Sequence, residues 1–276
     1  MKIISFTKMH GSGNDFVVID ATKQHFEMTT SQIQKMADRH LGIGFDQLLV
    51  IESPKVWATD FHFRIFNSDG SEVSQCGNGA CCIARYLYAK KIVKRKFRIS
   101  TLKDTLELKI QFDKKISVKM GVPRFNPSDI PFIAHRISSF YHIEVDNQKI
   151  RLGVVNVGNP HAIVLTDVLN TFPVLRLGAQ LSTHKRFPEG TNVGFMQIID
   201  PKKILLRVYE RGSGETLSCG SNACAAVAVG RCSGLLGEQV VVKQPGGSLF
   251  ISWQGPLTQT IMVGSADIIF HGEWSM

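Results

Sequence analysis

The sequence predicts an α+β protein of two pseudo-symmetric halves, each a curved, mainly antiparallel sheet wrapped around a central helix, with an active site in the cleft between them. Three observations predict it. A cysteine-led segment occurs twice, as Ser-Glu-Val-Ser-Gln-Cys-Gly-Asn-Gly-Ala-Cys from Ser71 and as Gly-Glu-Thr-Leu-Ser-Cys-Gly-Ser-Asn-Ala-Cys from Gly214. With Cys76 laid on Cys219, Glu72 meets Glu215, Gly77 meets Gly220, Ala80 meets Ala223 and Cys81 meets Cys224. Each copy heads one helical pattern flanked by strand patterns, and such repetition is structural before it is functional. Third, Val122 to Pro131 is rich in proline, a linker composition that divides the chain into 1–122 and 123–264. A final strand within 265–276 is expected to rejoin the first half, because the duplication is complete before it.

Taken in order, Ile3 to Met9 reads as a strand, His10-Gly11-Ser12-Gly13-Asn14-Asp15 as a turn, and Phe16 to Asp20 as the next strand. The turn is not a phosphate loop, since it joins two strands, has no helix behind it and lacks the Lys-Ser/Thr ending. Thr29 to His40 carries a capping residue and the Ile33, Met36, Ala37 spacing of a surface helix, stopped by Gly42. Leu48 to Ile51 and Asp60 to Phe66 are strands, the second delivering Asn67 to the turn before Cys76. Ala80, Ile83, Ala84 and Leu87 share one helix face, and Lys90 and Lys91 suit its C-terminal end. Phe97 to Thr101, Leu106 to Phe112 and Ile116 to Met120 complete the first sheet.

The second half repeats this order at low similarity. Val154 to Val157, Gly158-Asn159-Pro160-His161 and Ala162 to Leu165 match strand, turn and strand, with Asn159 in the place of Asn14. Alone, Asn14 reads as an ordinary turn residue; its recurrence gives it weight. Gly190-Thr191-Asn192 opens a strand to Phe195 and pairs Asn192 with Gln47, while Arg207-Val208-Tyr209-Glu210 matches Arg64-Ile65-Phe66-Asn67. Ala223 to Val229 is apolar on every face, which predicts a buried helix ended by Gly230 or Gly234. Val240 to Lys243, Leu249 to Trp253 and Ile261 to Val263 continue the sheet, and Ala266 to Phe270 is the last strand.

The 276 residues are 43% hydrophobic, enough for two ordinary cores. The net charge is +9, from 32 Lys and Arg against 23 Asp and Glu. Apart from Lys90 to Arg98 the cations are dispersed and no aromatic-basic motif accompanies them, so a solvated basic surface is expected and no nucleic-acid partner. There is no apolar run near about eighteen residues and no signal-peptide core, which points to a cytoplasmic chain with no membrane partner and with reduced thiols. Cys76-x4-Cys81-Cys82 and Cys219-x4-Cys224 lack zinc spacing, so no metal is expected. Cys82, Cys224 and Cys232 read as core residues.

A thiol at a helix N-terminus faces unpaired N–H groups and the positive end of the dipole, so each motif cysteine is expected to be activated. Duplicated halves commonly meet across a pseudo-twofold axis, which would bring Cys76 and Cys219 to opposite sides of one cleft. Two such groups suit inversion of a stereocentre, one removing a proton and the other returning it. The backbone N–H groups of Gly77, Asn78, Gly220 and Ser221 would then bind a carboxylate on the reacting carbon, and no cofactor is needed. The repeat breaks where Asn67 and Ser68 correspond to Glu210 and Arg211. That charged pair is either a holder for a second zwitterionic group or a strand-end surface ion pair.

These residues resemble the diaminopimelate epimerases. The resemblance rests on Lys-Met-His-Gly-x-Gly-Asn-Asp-Phe at 8–16, Gly-Ile-Gly-Phe-Asp-Gln at 42–47, Asn67 before Asp-Gly-Ser-Glu, and Gln-Cys-Gly-Asn-Gly at 75–79. Gly-Asn-Pro-His at 158–161 and Tyr-Glu-Arg-Gly-x-Gly-Glu-Thr at 209–216 before Cys219 extend it over nearly the whole chain. It implies Cys76 and Cys219 as the acid–base pair, and Asn14, Asn67, Asn159, Asn192, Glu210 and Arg211 as holders of the ends of a diaminopimelate substrate. Gln47 would line the site, and Gly77, Asn78, Gly220 and Ser221 would bind the reacting carboxylate. It implies a cofactor-independent enzyme and a homodimer. Two residues depart from the family pattern: Cys81 stands where Arg is usual, with altered packing expected, and Asn222 stands where Gly is usual, with reduced backbone freedom expected. The rival readings are a proline-racemase-like enzyme, which would leave Glu210 and Arg211 no distal group to bind, and a dithiol redox protein cycling through Cys76 and Cys219.

Overall fold

The chain divides into two compact units, one holding residues up to Lys119 and from Val263 on, the other Met120–Met262. The structure, a computed structural model, describes residues 3–74 and 76–275. The first two residues of the opening segment, Gln75 of the first cysteine motif and Met276 lie outside the described residues.

In the first unit, β1 (Ile3–Gly11) and β2 (Asn14–Asp20) form a hairpin whose turn puts Ser12 and Gly13 at φ 52° and 81°, a conformation that glycine adopts without steric cost. The helix α1 (Thr30–Ala37) opens on a capping box made by Thr29 and Gln32. It stops before the expected His40, because Asp38 turns extended and its carboxylate accepts the N–H groups of His40 and Leu41 at 2.8 and 2.7 Å. There follow β3 (Gln47–Glu52), β4 (Phe61–Asn67), β5 (Glu72–Val73), α2 (Gly77–Ala89), β6 (Lys96–Ser100), β7 (Thr105–Ile110) and β8 (Ile116–Lys119). Neighbouring strands pair antiparallel except for the parallel pairs β2 with β3 and β4 with β6. The helix α2 packs on β1, β2, β3, β7 and β8 and buries Gly77 through Ala84, Tyr86 and Leu87. Small residues on several of its faces make that possible, since the sheet curves around it at close range.

The second unit holds β9 (Tyr141–Val145), β10 (Gln148–Asn156), β11 (Pro160–Leu165), α3 (Val174–Ser182), β12 (Asn192–Asp200), β13 (Lys203–Glu210), β14 (Gly214–Thr216), α4 (Gly220–Cys232), β15 (Gln239–Gln244) and β16 (Gly247–Ser252). β17 (Ile261–Gly264) runs across its boundary, and β18 (Asp267–Ser275) returns to the first unit, where it pairs antiparallel with β1 from Ile3↔Ser275 to His10↔Asp267. The pairing rules of the first unit recur: β11 with β12 and β13 with β15 are parallel, the other paired neighbours antiparallel. The predicted α+β architecture, one largely antiparallel sheet around one central helix, is thus present in each unit. The sequence reading missed α3, β9 and the short strands β5 and β14. α3 occupies the position of α1 in the repeat, and Val174, Leu177 and Leu181 are its buried face.

The helix α4 is buried from Asn222 to Gly230, as its uniformly apolar sequence demands. Close approach to the sheet needs glycine: a Cβ at Gly153 would lie 2.4 Å from Val229 Cγ1, and one at Gly194 would lie 2.1 Å from Asn222 Oδ1. Asn222 is helical, not left-handed, so the expected limit on turn freedom is replaced by a packing constraint between α4 and β12. Cys82 and Cys224 are core residues, but Cys232 is exposed at the last position of α4, because the helix runs out of the core there.

Candidate active site

In the first unit, three of the expected site residues lie at one end of adjacent strands. Asn14 begins β2, Gln47 begins β3 and Asn67 ends β4, and the register pairs Phe16 with Gln47 and Gln47 with Asn67. Gln47 Nε2 donates to Asn67 Oδ1 at 2.9 Å, and Asn67 Nδ2 donates to Ser71 Oγ at 3.2 Å. Gln47 Oε1 is buried with no hydrogen-bond partner among the described residues. Asn14 Nδ2 donates to Asp46 Oδ2 at 2.8 Å, and Arg39 bridges Asp46 and Asp15 at 2.7 and 2.8 Å. Burial pushes the Asp15 carboxyl up, but Arg39 and Lys8 outweigh it and bring it down to about 2. Asp15 is therefore a fixed anion that anchors the turn carrying Asn14.

At the same end, Cys76 is the N-cap of α2, extended at φ −151°, and its Sγ accepts the N–H of Gly79 at 3.2 Å. Cys76 is half-buried, whereas Gly77 and Asn78 are buried. Gly11, opposite Asn14 in the hairpin, leaves room for Asn78, whose Cβ lies 3.4 Å from where a Gly11 Cβ would be. The hairpin and the N-terminus of α2 therefore pack directly on each other.

The second unit builds a similar edge with different chemistry. Asn159 precedes β11, Asn192 begins β12 and Glu210 ends β13, with His161 paired to Asn192 and Val193 to Tyr209. Asn192 Oδ1 accepts the Arg211 N–H at 2.9 Å, and the Arg211 guanidinium donates to the Glu189 carbonyl. His161 Nε2 lies 2.8 Å from Asn159 Oδ1, and burial, with Arg211 nearby, pushes the imidazole down to about 3. The ring is therefore neutral, and a neutral ring facing a carbonyl oxygen through Nε2 must carry its proton there. His161 orients the Asn159 amide.

Cys219 is the N-cap of α4 at φ −136°. Its Sγ donates to Glu210 Oε2 at 3.1 Å and lies 3.4 Å from Ser221 Oγ, while its backbone N–H donates to Gln244 Oε1 at 2.8 Å. Glu210 Oε1 accepts in turn from Thr216 Oγ1 at 2.6 Å. This corrects the expectation of two activated thiols: burial first, and the Glu210 carboxylate second, push the Cys219 thiol well above its ordinary range. Ser221 and the N–H of Asn222 pull the other way and lose. A helix terminus is worth roughly 0.3–1 kcal/mol, whereas full burial alone shifts a group by up to about 3–5 pKa units.

The structure thus gathers Asn14, Gln47, Asn67, Gly77 and Asn78 with Cys76 in one unit. In the other it gathers Asn159, Asn192, Glu210, Arg211, Gly220 and Ser221 with Cys219. Asp46, His161, Thr216 and Gln244 support these groups and were not singled out from the sequence. The first three stand inside motifs that were, but Asp46 holds Asn14 from 32 positions away and Thr216 holds Glu210 from six.

The fold is that of racemases and other isomerases. Solved structures of similar architecture include a probable proline racemase from Agrobacterium radiobacter K84, at TM-score 0.74 and 14% identity, covering 99% of this chain and 93% of that one. A hydroxyproline epimerase from Agrobacterium vitis matches at TM-score 0.73 and 13% identity, over 98% and 92% of the two chains. Similarity at this identity shows the fold alone. Sequence goes further: the profile of the family described as diaminopimelate epimerase matches residues 6–126 and 153–269. A protein named diaminopimelate epimerase from Coxiella burnetii (strain Dugway 5J108-111) is 67% identical over 272 residues, which is 98% of this chain and 99% of that protein. The chain belongs to the diaminopimelate epimerase family.

Proposed function

We propose that the protein interconverts LL- and meso-2,6-diaminopimelate by moving one α-proton between two cysteines. Membership of the family and 67% identity to a named member carry the reaction. The matched N-cap positions of Cys76 and Cys219, each heading the central helix of its unit, support the residue assignment. One sulfur, as thiolate, takes the α-proton, and the other, as thiol, delivers its proton to the opposite face, so the roles exchange with direction. The scheme requires both sulfurs to reach one carbon.

The N–H groups of Gly77, Asn78, Gly220 and Ser221 serve the α-carboxylate, where charge grows as the proton leaves, and preorganised donors of this kind lower the barrier most. Asn14, Gln47, Asn67, Asn159, Asn192, Glu210 and Arg211 hold the ammonium groups and the distal carboxylate, Arg211 through its planar fork. No cofactor is required by this chemistry. The reaction consumes and yields small anionic metabolites, in keeping with lysine and peptidoglycan-precursor synthesis in the cytoplasm. Among the described residues no helix is long and apolar enough to cross a membrane. We assign the working form as a homodimer, with light scattering as its check.

Incubation of LL-diaminopimelate in deuterium oxide without added cofactor tests the proposal. Deuterium at one α-carbon with appearance of the meso isomer is expected, and proline should stay unlabelled. Absence of exchange with thiols kept reduced would overturn it, and activity only under oxidising conditions would favour a dithiol redox protein.

A further inference from the structure

We propose that the first unit carries a second binding site, for a small amino acid in its zwitterionic form, whose ammonium group docks on Asp20 and whose carboxylate meets Lys23 and Lys90. The site is separate from the candidate active site and does not rest on the function proposed for it.

The register of three paired strands builds the site. Between β1 and β18, Ser5 pairs with Glu273 and Thr7 with His271, and between β1 and β2, Thr7 pairs with Val18. Side chains alternate along a strand, so Asp20, two residues beyond Val18, joins them on one face. That is the face α2 covers, since Tyr86 Oη reaches Asp20 Oδ2 across it. α2 ends at Ala89, and beside its last turn the face opens into a cavity of about 530 Å³, bounded by these side chains with Lys23 and Lys90. Gln24 fastens one edge, donating to the Ser5 carbonyl at 2.7 Å and accepting the Ser5 N–H at 3.0 Å.

Charge is layered in this cavity. At its floor Thr7, Asp20 and Tyr86 are 3%, 6% and 7% exposed. Asp20 Oδ1 accepts the Thr22 N–H at 3.1 Å and the Thr22 hydroxyl at 2.5 Å. Its Oδ2 is poorly served: Tyr86 Oη stands off at 3.5 Å, the outer limit of a hydrogen bond, and Lys23 Nζ at 3.9 Å. A buried carboxylate oxygen without a close donor is costly until a cation reaches it. Burial first, and Asp20 second, push the Tyr86 phenol up to about 12, so it stays neutral and its oxygen is able to accept from a docked ammonium. At the rim Lys23 and Lys90 are exposed, with Lys90 Nζ 5.9 Å from the Tyr86 ring centroid, and Glu273 adds one carboxylate. An ammonium below and a carboxylate above satisfy both layers, whereas a plain amine meets the rim cations and a plain acid meets Asp20. Val18 and the Tyr86 ring offer an apolar wall to a side chain.

The cavity lies away from the strand ends that carry the expected site residues of this unit. β2 runs from Asn14 to Asp20, about 20 Å at roughly 3.3 Å per residue. α2 sets Lys90 about 20 Å from Cys76. A ligand held here touches neither Asn14 nor Cys76, yet it ties together the far ends of the strand and the helix that present them.

Isothermal titration calorimetry of the full-length protein tests the site. The probe is L-norleucine, beside pentylamine and hexanoate, which keep its chain but only its ammonium or only its carboxylate. L-Norleucine is expected to bind at roughly millimolar affinity, and the two single-charge compounds at least about tenfold more weakly. Asp20→Asn preserves the side-chain shape and should weaken L-norleucine about tenfold or more. Should that variant fail to fold by circular dichroism, Lys90→Glu, on the exposed rim, serves instead: it should weaken L-norleucine and strengthen pentylamine. Arg211→Ala, in the second unit, should leave the affinity unchanged, which separates this cavity from the candidate active site. Absence of binding, equal binding of pentylamine or hexanoate, or an affinity that follows Arg211 and ignores Asp20 and Lys90 overturns the inference. Epimerisation of LL-diaminopimelate by the unaltered protein is measured separately, so failure of the proposed reaction leaves this test standing.

Discussion

The two cysteine-capped helix ends share a backbone and differ in charge. Both cysteines are extended N-caps, both open helices of 13 residues, and both follow a short strand that pairs with the strand bearing the polar end residue. Yet Asn67 ends β4 where Glu210 ends β13, and Cys76 is half-buried where Cys219 is buried. Duplication preserved the scaffold, and the side chains at equivalent positions then separated the two thiols electrostatically.

The largest expected effect comes from removing either sulfur. Cys76→Ala and Cys219→Ala should each slow epimerisation by at least about a hundredfold, since general acid–base groups contribute roughly 10²–10⁴-fold. Circular dichroism should show both folds intact, and a variant keeping more than a few per cent of the rate would break the equivalence of the two ends. Next, Asn67→Glu copies the charge of the second unit into the first. Both thiols would then be held protonated, so the rate at neutral pH should fall about 10- to 100-fold and recover as pH rises. A flat pH response would show that position 67 does not govern Cys76.

Smaller effects compare matched ion pairs. Arg64 forks Glu72 at 2.9 and 2.9 Å, reaches Glu52 only at 3.5 Å and lies over the Phe66 ring, whereas Arg207 forks Glu215 at 2.7 and 3.0 Å and also donates to the carbonyls of Leu169 and Phe172 at 3.2 Å. Arg207→Ala should therefore cost about 2 kcal/mol and Arg64→Ala about 1, read from urea melts. The smallest change has the opposite sign. Neither amide atom of Asn222 has a partner among the described residues, and the side chain is fully buried. Asn222→Ala should raise stability by about 1 kcal/mol, and a lower melting temperature would show that the amide is paired after all.

Much of this was legible in the sequence because duplication makes a chain its own alignment. Motif spacing located both central helices, and the apolar run from Ala223 to Val229 foretold the burial of α4. What escaped did so for local reasons. α3 follows a proline and lacks the side-chain cap that announces α1. The end of α1 depended on where the Asp38 carboxylate turned, which composition does not encode. The state of Cys219 depended on burial and on one contact across nine positions in sequence, so reasoning from the helix terminus alone gave the wrong sign. The fit of Gly194 against Asn222 joins residues of two separate elements, of which the sequence singled out only Asn222, and exists only in three dimensions.

The pairing of β18 along β1 bears on how the polypeptide acquires its form as it leaves the ribosome. The second unit is one uninterrupted span, complete as soon as Met262 has emerged, whereas the first waits for a strand made after it. The earlier-translated sheet is therefore finished later, and until then β1 has an open edge that a chaperone or a neighbouring nascent chain can engage.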